Sequence, residues 1–286
     1  MNTAPEGPGL GPIVSTKRVL ICVGSGGVGK TSTAATIGLL ASRMGIKTLV
    51  MTIDPAHRLA AALGLEELDH QARPVPDDKL AAANIGPGLY YAMMLEPKRT
   101  FDELVRRYAP DAETVKRLLE SKIYQQVSSR LAGSQEYAAM EMLHAIRQED
   151  RYDLLVLDTP PTANALDFLN APRKMVDAVQ SPAVALFVRS YEKAGKLSLD
   201  MLGFGASYIV KRLARFVGSD FLNDIAEFLT RLSGMLEGMH ERAAEVQKML
   251  GAEDVGFIVV TSPDPGAVDE AIDFCARLVQ QQMDLA

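Results

Sequence analysis

The chain has 286 residues, of which 48% are apolar and 23% are charged, and its formal net charge at pH 7 is −6. This length and apolar content are sufficient for a sizeable core, in one large domain or two small ones. No apolar run reaches the ~20 residues that a membrane-spanning helix needs, so we expect no transmembrane segment. The acidic balance argues against a nucleic-acid-binding protein, because such proteins neutralise phosphates with a basic surface.

The N-terminal segment, residues 1–17, is rich in proline and glycine and lacks a basic stretch followed by an apolar one. We therefore predict a flexible tail rather than a signal peptide. The two cysteines, Cys22 and Cys275, are too few and too far apart for a disulfide framework. A reducing, cytoplasmic location is the expectation.

Five apolar runs alternate with helical stretches along residues 18–286, which we interpret as one domain. The first run, Val19–Val23, leads into glycines, and a helix of about four turns is predicted from Lys30 to Gly45. Continuous apolar strands separated by helices indicate a parallel sheet that is covered on both faces. The predicted fold is therefore α/β, with a doubly wound, mostly parallel sheet. The other predicted strands lie within residues 47–54, 89–97, 154–157 and 255–262.

Two long helical insertions, residues 97–150 and 171–250, interrupt this alternation, and they are rich in methionine. Methionine is flexible and is over-used on adaptable binding surfaces. Two interpretations stay open: the methionines pack the insertions against each other, or they line an apolar groove for a partner helix or client protein. The methionines concerned are Met140, Met142, Met175, Met201, Met235, Met239 and Met249.

A phosphate-binding pattern, G-x-x-x-x-G-K-[ST], follows the first predicted strand and begins the first predicted helix. Glycines there let backbone N–H groups point at phosphate oxygens, and the helix N-terminus adds partial positive charge. Lys30 is expected to reach the β- and γ-phosphates of ATP, and Thr31 to ligate Mg²⁺. The loop predicted to bind the nucleotide consists of Gly24, Ser25, Gly26, Gly27, Val28, Gly29, Lys30, Thr31 and Ser32.

Two aspartates end predicted strands on the same edge of the sheet, where ligands bind in such folds. Asp158 is the expected second Mg²⁺ ligand, acting through water, although it could instead be a turn aspartate before Pro160. Asp54 could orient or deprotonate the attacking water, or cap the helix that starts near Ala56, and the two roles can coexist. His57 is interpreted as a structural hydrogen-bonding residue.

Together these features resemble the arsenite-pump ATPase family and its relatives, the tail-anchored-protein targeting ATPases, over about residues 18–286. The resemblance implies a P-loop ATPase fold with a methionine-rich helical insertion subdomain. It also implies a homodimer whose nucleotide-dependent rearrangement opens or closes an apolar groove. The motifs that carry it are the deviant Walker A loop from Gly24 to Ser32, switch I at residues 54–57, switch II at 158–162 and the stretch 168–172.

The chain departs from the family pattern in three ways. At the position of Ser25 the family usually has a lysine, which reaches the nucleotide of the partner subunit. Either Arg58 or a basic residue of the insertions would then supply this positive charge, or turnover is slow. A strand whose asparagine reads the adenine would follow residue 286, so an incomplete adenine pocket is expected. Cys22 and Cys275 cannot form the thiolate triad of arsenite-binding members, so arsenite transport is not expected.

The sequence thus predicts a cytoplasmic, Mg²⁺-dependent ATPase, coupled to an apolar client or partner protein, and the resemblance implies that it is a homodimer. Two alternatives remain open. One is a nucleotide-gated scaffold that binds ATP with little turnover, marked by Ser25. The other is a positioning ATPase of the MinD/ParA type, against which the acidic balance and the large insertions argue.

Overall fold

The computed structural model describes residues 9–54, 56–130, 134–159, 219–233 and 236–286, together with residues 177 and 182. Its sheet has the strand order β3-β4-β2-β5-β1-β6. Every neighbouring pair is parallel except β3 and β4, which are antiparallel. The predicted α/β fold with a mostly parallel sheet is confirmed. The strands are β1 Val19–Val23, β2 Thr48–Thr52, β3 Arg73–Pro74, β4 Tyr90–Met94, β5 Leu154–Asp158 and β6 Val255–Val259.

Some helices of the described residues begin at a side chain that caps them. Asp264, for example, accepts hydrogen bonds from the backbone N–H groups of Gly266 and Ala267, and Pro265 occupies the first helical position. The helices, numbered through the described residues, are α1 Leu10–Thr16, α2 Lys30–Arg43, α3 Arg58–Ala62, α4 Asp77–Leu80, α5 Pro97–Tyr108, α6 Ala112–Glu120, α7 Lys122–Arg130, α8 Ser134–Glu149, α9 Ser219–Ser233, α10 Leu236–Leu250 and α11 Pro265–Gln280.

Helices cover both faces of the sheet, because the buried strands are apolar on both sides. In β1, Val19, Ile21 and Val23 point into a cluster that includes side chains of α8, α10 and α11. Leu20 and Cys22 point the other way, into a cluster with side chains of α1, α2 and α3. This alternation is the two-residue period of a strand, and it makes the sheet doubly wound.

The first insertion contains α5 to α8, and the described end of the second contains α9 and α10. Met140 and Met249 are buried in the sheet cluster and Met142 packs against it, so these three methionines serve packing. The other four methionine side chains lie outside what the structure describes. A third apolar cluster joins the insertion helices to each other; it consists of Phe101, Leu104, Val105, Leu118, Tyr124, Tyr137, Ala138, Phe228 and Ala243.

The flexible tail predicted for residues 1–17 is wrong for its last part, because residues 10–16 form α1. Val14 is buried, and Leu10 and Ile13 pack beside it against the α2 face of the sheet. Their spacing of three and four residues places them on one side of a helical turn. The burial of this apolar side outweighs the unfavourable effect of the local prolines and glycines on helix formation. The side chain of Lys17 then pairs with Asp284.

Both ends of the sheet carry short features that the apolar runs did not predict. Strand β3, only two residues long, lies antiparallel at one edge. At the other edge Leu285 bridges Phe257 of β6 in parallel, with Phe257 N donating to Asp284 O at 2.9 Å and Ala286 N donating to Phe257 O at 3.0 Å. Every helix of the described ranges is too short or too polar to cross a membrane.

Candidate nucleotide-binding site

The loop between β1 and α2 has a backbone that glycines alone adopt readily. Gly24, Gly27 and Gly29 have φ angles of +147°, +78° and +97°, in the region that L side chains rarely occupy. A Cβ on Gly24 would lie 2.0 Å from the carbonyl oxygen of Val260, which follows β6. That close approach is maintained because Val260 N donates to Val23 O at 2.8 Å. The loop is therefore clamped between α2 and the end of β6.

Lys30 turns back across this loop instead of extending into solvent. Its side-chain ammonium donates to the carbonyl oxygens of Gly24 at 2.8 Å and Ser25 at 2.7 Å, and the residue is 6% exposed. Burial lowers the pKa of Lys30, and the charge of Asp158 opposes that shift. The ammonium is thus held inside the loop, where phosphate oxygens could replace the two carbonyls as hydrogen-bond acceptors.

Asp158 lies beneath the start of α2 and is 1% exposed. Its Oδ2 accepts hydrogen bonds from the hydroxyls of Thr31 at 2.8 Å and Thr52 at 3.0 Å. Its Oδ1 is buried and has no hydrogen-bond partner among the residues that the structure describes. Burial raises the pKa of Asp158, against the opposing effect of the two hydroxyls. A buried carboxylate oxygen without a partner, beside a hydroxyl, is a donor set that fits a hard divalent cation such as Mg²⁺.

Asp54 closes a turn just before α3 and also lines the cavity in front of the loop. Its Oδ1 accepts from Ala56 N at 2.9 Å, and its Oδ2 lies 3.3 Å from a guanidinium nitrogen of Arg58. The expected cap of a helix that starts near Ala56 is wrong, because α3 starts at Arg58, has His57 at its N-cap and has no side-chain cap bond. The bond to Ala56 N instead fixes the turn before the helix and leaves Oδ2 facing a cation. His57 is exposed, adopts a φ of +54° at the N-cap of α3 and is absent from the cavity lining.

A cavity of 220 Å³ brings these groups together. Asp158 reaches it through its bond to Thr31. Ser25, in contrast, points away from it and donates a hydrogen bond to Glu270 of α11. Residues 160–162 of the predicted switch II, and the stretch 168–172, lie outside the described residues. The lining residues are Gly27, Gly29, Lys30, Thr31, Ser32, Asp54, Arg58 and Thr159.

Sequence reasoning missed two polar residues around this site, Thr52 and Glu270, and placed Thr159 only within switch II, without a role of its own. Thr52 and Thr159 hold the site together, since Thr52 bonds Asp158 and the Thr159 hydroxyl donates to Cys22 O at 2.8 Å. A threonine within or directly after an apolar strand was the available signal for both. Glu270 gave no such signal, because its contact depends on where α11 packs.

The two cysteines lie on different sides of the sheet. Cys22 is fully buried on the α2 face, and burial raises the pKa of its thiol. Cys275 belongs to α11, whose Phe274 and Leu278 pack on the opposite face. The two thiols of one chain therefore cannot bind the same ion. Within the described ranges, no group of three or more His, Cys, Asp or Glu side chains is arranged to hold a metal.

The chain is similar to known ATPases along almost its whole length. It is 26% identical over 277 residues to the ATPase GET3 of Kluyveromyces lactis, covering 92% of this chain and 76% of that protein. It is 32% identical over 158 residues to the ATPase get3 of Schizosaccharomyces pombe, covering 54% of this chain and 44% of that protein. Matches to three further curated relatives cover 25% to 39% of those proteins, so the chain spans less than half of their length. Because residues 17–284 match the model of the family described as anion-transporting ATPase, the chain belongs to that family.

Proposed function

We propose that this protein is a Mg²⁺-dependent ATPase that converts ATP and water to ADP and phosphate. The observation that carries the proposal is the convergence of Lys30, Thr31 and Asp54 on one cavity of 220 Å³. A buried ammonium, a hydroxyl bonded to a buried carboxylate, and a second carboxylate are the groups that phosphoryl transfer to water requires. Membership of an ATPase family supports the same conclusion.

Nucleotide phosphates would bind along the loop and at the start of α2. No side chain caps this helix, so its first N–H groups are available to phosphate oxygens. Lys30 would exchange the carbonyls of Gly24 and Ser25 for β- and γ-phosphate oxygens. Thr31 and Asp158 would hold Mg²⁺, the aspartate through water, and the ion would neutralise charge on the phosphates.

Asp54 would orient the attacking water with its Oδ2, while its Oδ1 stays bonded to Ala56 N at 2.9 Å. Arg58 supplies the cation that Ser25 lacks. Its guanidinium lines the cavity 3.3 Å from Asp54, and 57% of its side chain is exposed, so it can move toward a γ-phosphate. That movement would release Asp54 Oδ2 for the water.

We further propose that hydrolysis in a homodimer is coupled to an apolar client or partner protein at the helical insertions, in the cytoplasm and without nucleic acid. The resemblance to GET3 proteins supports this extension. So does α8, which contributes Tyr137 to the insertion cluster and Leu143 and Ile146 to the sheet cluster. One helix thus connects the sheet to the insertions.

A nucleotide-gated scaffold with little turnover is the second candidate. The observation that favours it is the contact of Ser25 with a carboxylate, since the loop then offers a partner no cation from that position.

The test is the rate of ATP hydrolysis with Mg²⁺, measured against protein concentration, with Lys30→Ala and Ser25→Lys beside the parent. The hydrolysis rate of Lys30→Ala should be at least ~100-fold lower, because this variant lacks the buried ammonium that offsets the negative charge of the phosphates. A rate per subunit that rises with concentration would support the homodimer. ATP binding with a flat, near-zero rate would favour the scaffold. A Lys30→Ala variant as fast as the parent would contradict the site, and cosedimentation with lipid or DNA would instead support the positioning ATPase.

A further inference from the structure

A carboxylate from α11 contacts the phosphate-binding loop. The hydroxyl of Ser25 donates to Glu270, while the backbone carbonyl of the same serine accepts from Lys30 at 2.7 Å. Glu270 is exposed and makes no other hydrogen bond or ion pair to the part of the chain that the structure describes. One loop residue therefore links the buried ammonium to an otherwise unpaired carboxylate.

The position of this carboxylate is fixed by the packing of α11. The N-terminus of α11 is capped by Asp264, and its residues Phe274 and Leu278 are buried in the sheet cluster. The strand that precedes it is held to the loop by the bond from Val260 N to Val23 O. Glu270 thus cannot leave the loop by movement of its helix alone, and only its side chain can rotate away.

The charges around the loop are unbalanced before any nucleotide enters. Lys30 and Arg58 contribute two positive charges, and Asp54, Asp158 and Glu270 contribute three negative ones. A nucleoside triphosphate adds further negative charge at the same place. Mg²⁺ with Asp158, and the two cations with the phosphates, offset most of it. The carboxylate of Glu270 has no such partner, since the serine hydroxyl gives it a hydrogen bond and no charge.

We infer that Glu270 sets the affinity of the loop for nucleoside triphosphates, by opposing the phosphates from its contact with Ser25. The inference rests on the proposed function, because it takes the loop to be the phosphate site. Glu270 touches no reacting atom, so it acts as a positioning residue for the loop and as a fixed charge beside it. Its removal should lower the KM for ATP and leave kcat within about twofold, because charge near the loop weakens binding of substrate and transition state alike.

The experiment measures the Kd of the parent for a non-hydrolysable ATP analogue with Mg²⁺, beside Glu270→Gln and the matched control Asp269→Asn. Asp269 is the neighbouring exposed carboxylate of α11, without a bond to the loop, so both variants change the net charge equally. Glu270→Gln should bind about three- to tenfold more tightly at low salt, with a smaller gain near 0.5 M salt, where charges are screened beyond roughly 4 Å. Asp269→Asn should stay within about twofold of the parent.

Glu270→Asp separates charge from shape, since it keeps the carboxylate and shortens the side chain. It should bind the analogue with nearly parental affinity, and tightening equal to that of Glu270→Gln would overturn the role of the charge. Unchanged or weaker binding by Glu270→Gln, with clear binding by the parent, would overturn the inference and leave the proposed function intact. A parent that binds no ATP analogue would instead overturn the proposed function.

Discussion

Two buried carboxylates, Asp158 at the carboxyl end of the central strand β5 and Glu141 in α8, are stabilised in different ways. They are 1% and 3% exposed, and each keeps one oxygen that lacks a hydrogen-bond partner in the described part of the chain. Asp158 is held by two neutral hydroxyls, whereas Glu141 accepts a hydrogen bond at 2.7 Å from the guanidinium of Arg242 in α10. Burial raises the pKa of both carboxyls. A buried carboxylate that is bonded only by neutral hydroxyls can bind a cation from solution. One that is bonded by an arginine already has its negative charge neutralised.

The Glu141 and Arg242 pair joins two helices where the sheet cluster meets the insertion cluster. Tyr137, one turn before Glu141, belongs to the insertion cluster, and Leu143, just after it, belongs to the sheet cluster. On α10, Arg242 is followed by Val246 in the sheet cluster. Because the pair is buried, replacing both partners can be tolerated, but removing one leaves an uncompensated charge. We expect the pair to fix the register of α8 against α10.

The largest effect should come from breaking this pair on one side. Arg242→Leu leaves Glu141 buried without its cation and should lower the free energy of unfolding by about 3 to 5 kcal/mol, measured by urea denaturation at pH 7. The control is the double variant Glu141→Leu with Arg242→Leu, which removes both charges and should recover most of that loss. A double variant as unstable as the single one would show that packing around the arginine matters more than its charge.

Asp158→Asn tests the other carboxylate. Turnover should fall strongly, whereas stability should rise, in contrast to the loss of stability expected for Arg242→Leu. Mg²⁺-dependent hydrolysis should fall about 1,000-fold, since the neutral amide cannot replace the charged group that would hold Mg²⁺ through water. Folding favours protonated Asp158 because burial raises its pKa above 3.8; the resulting stabilisation is complete below pH 3.8 and is lost as the pH rises through the folded pKa. Asparagine mimics the protonated form, so the nucleotide-free variant should be more stable than the parent at pH 7.

The gain in unfolding free energy should disappear as the pH falls below 3.8, where the parent is protonated in both states. Chemical denaturation across this pH range checks it. A variant less stable than the parent at pH 7 would mean that the bonds from Thr31 and Thr52 matter more than the desolvation of the charge.

The sequence alone predicted the parts of the molecule that local patterns determine. The five parallel strands, the loop from Gly24 to Ser32 and the strand-end aspartates followed from apolar runs and one motif. The helix at residues 10–16 was not predicted because so short a helix depends on packing against α2. Strand β3 was not predicted because its two edge residues form no apolar run. The Glu141 and Arg242 pair spans 101 positions, and the Ser25 and Glu270 contact spans 245. Such contacts follow from how helices pack, which a pattern along the chain does not contain.

Asp54→Asn should separate the two roles of an aspartate that closes the turn before α3 and faces the cavity. The amide oxygen can still accept from Ala56 N, so the stability and the Kd for the ATP analogue should stay near parental values. Turnover should fall about 100-fold because the charge that orients the water is lost. Asp54→Ala is the comparison, since it removes the bond to Ala56 N as well and should also cost about 1 kcal/mol of stability. Equal losses of binding and turnover in Asp54→Asn would favour a purely structural role in this turn.

The smallest effect should come from Glu245, the exposed member of the group around Arg242. Its Oε2 lies 3.1 Å from Nη1 of the arginine, but 57% of its side chain is exposed, against 4% for Glu141. Water screens such a contact, so Glu245→Gln should lower the free energy of unfolding by less than about 1 kcal/mol. The loss should shrink further in high salt, whereas that of Arg242→Leu should not, because buried charges are screened much less. A loss in Glu245→Gln as large as that in Arg242→Leu would mean that the exposed carboxylate, rather than the buried one, neutralises the arginine between the two helices.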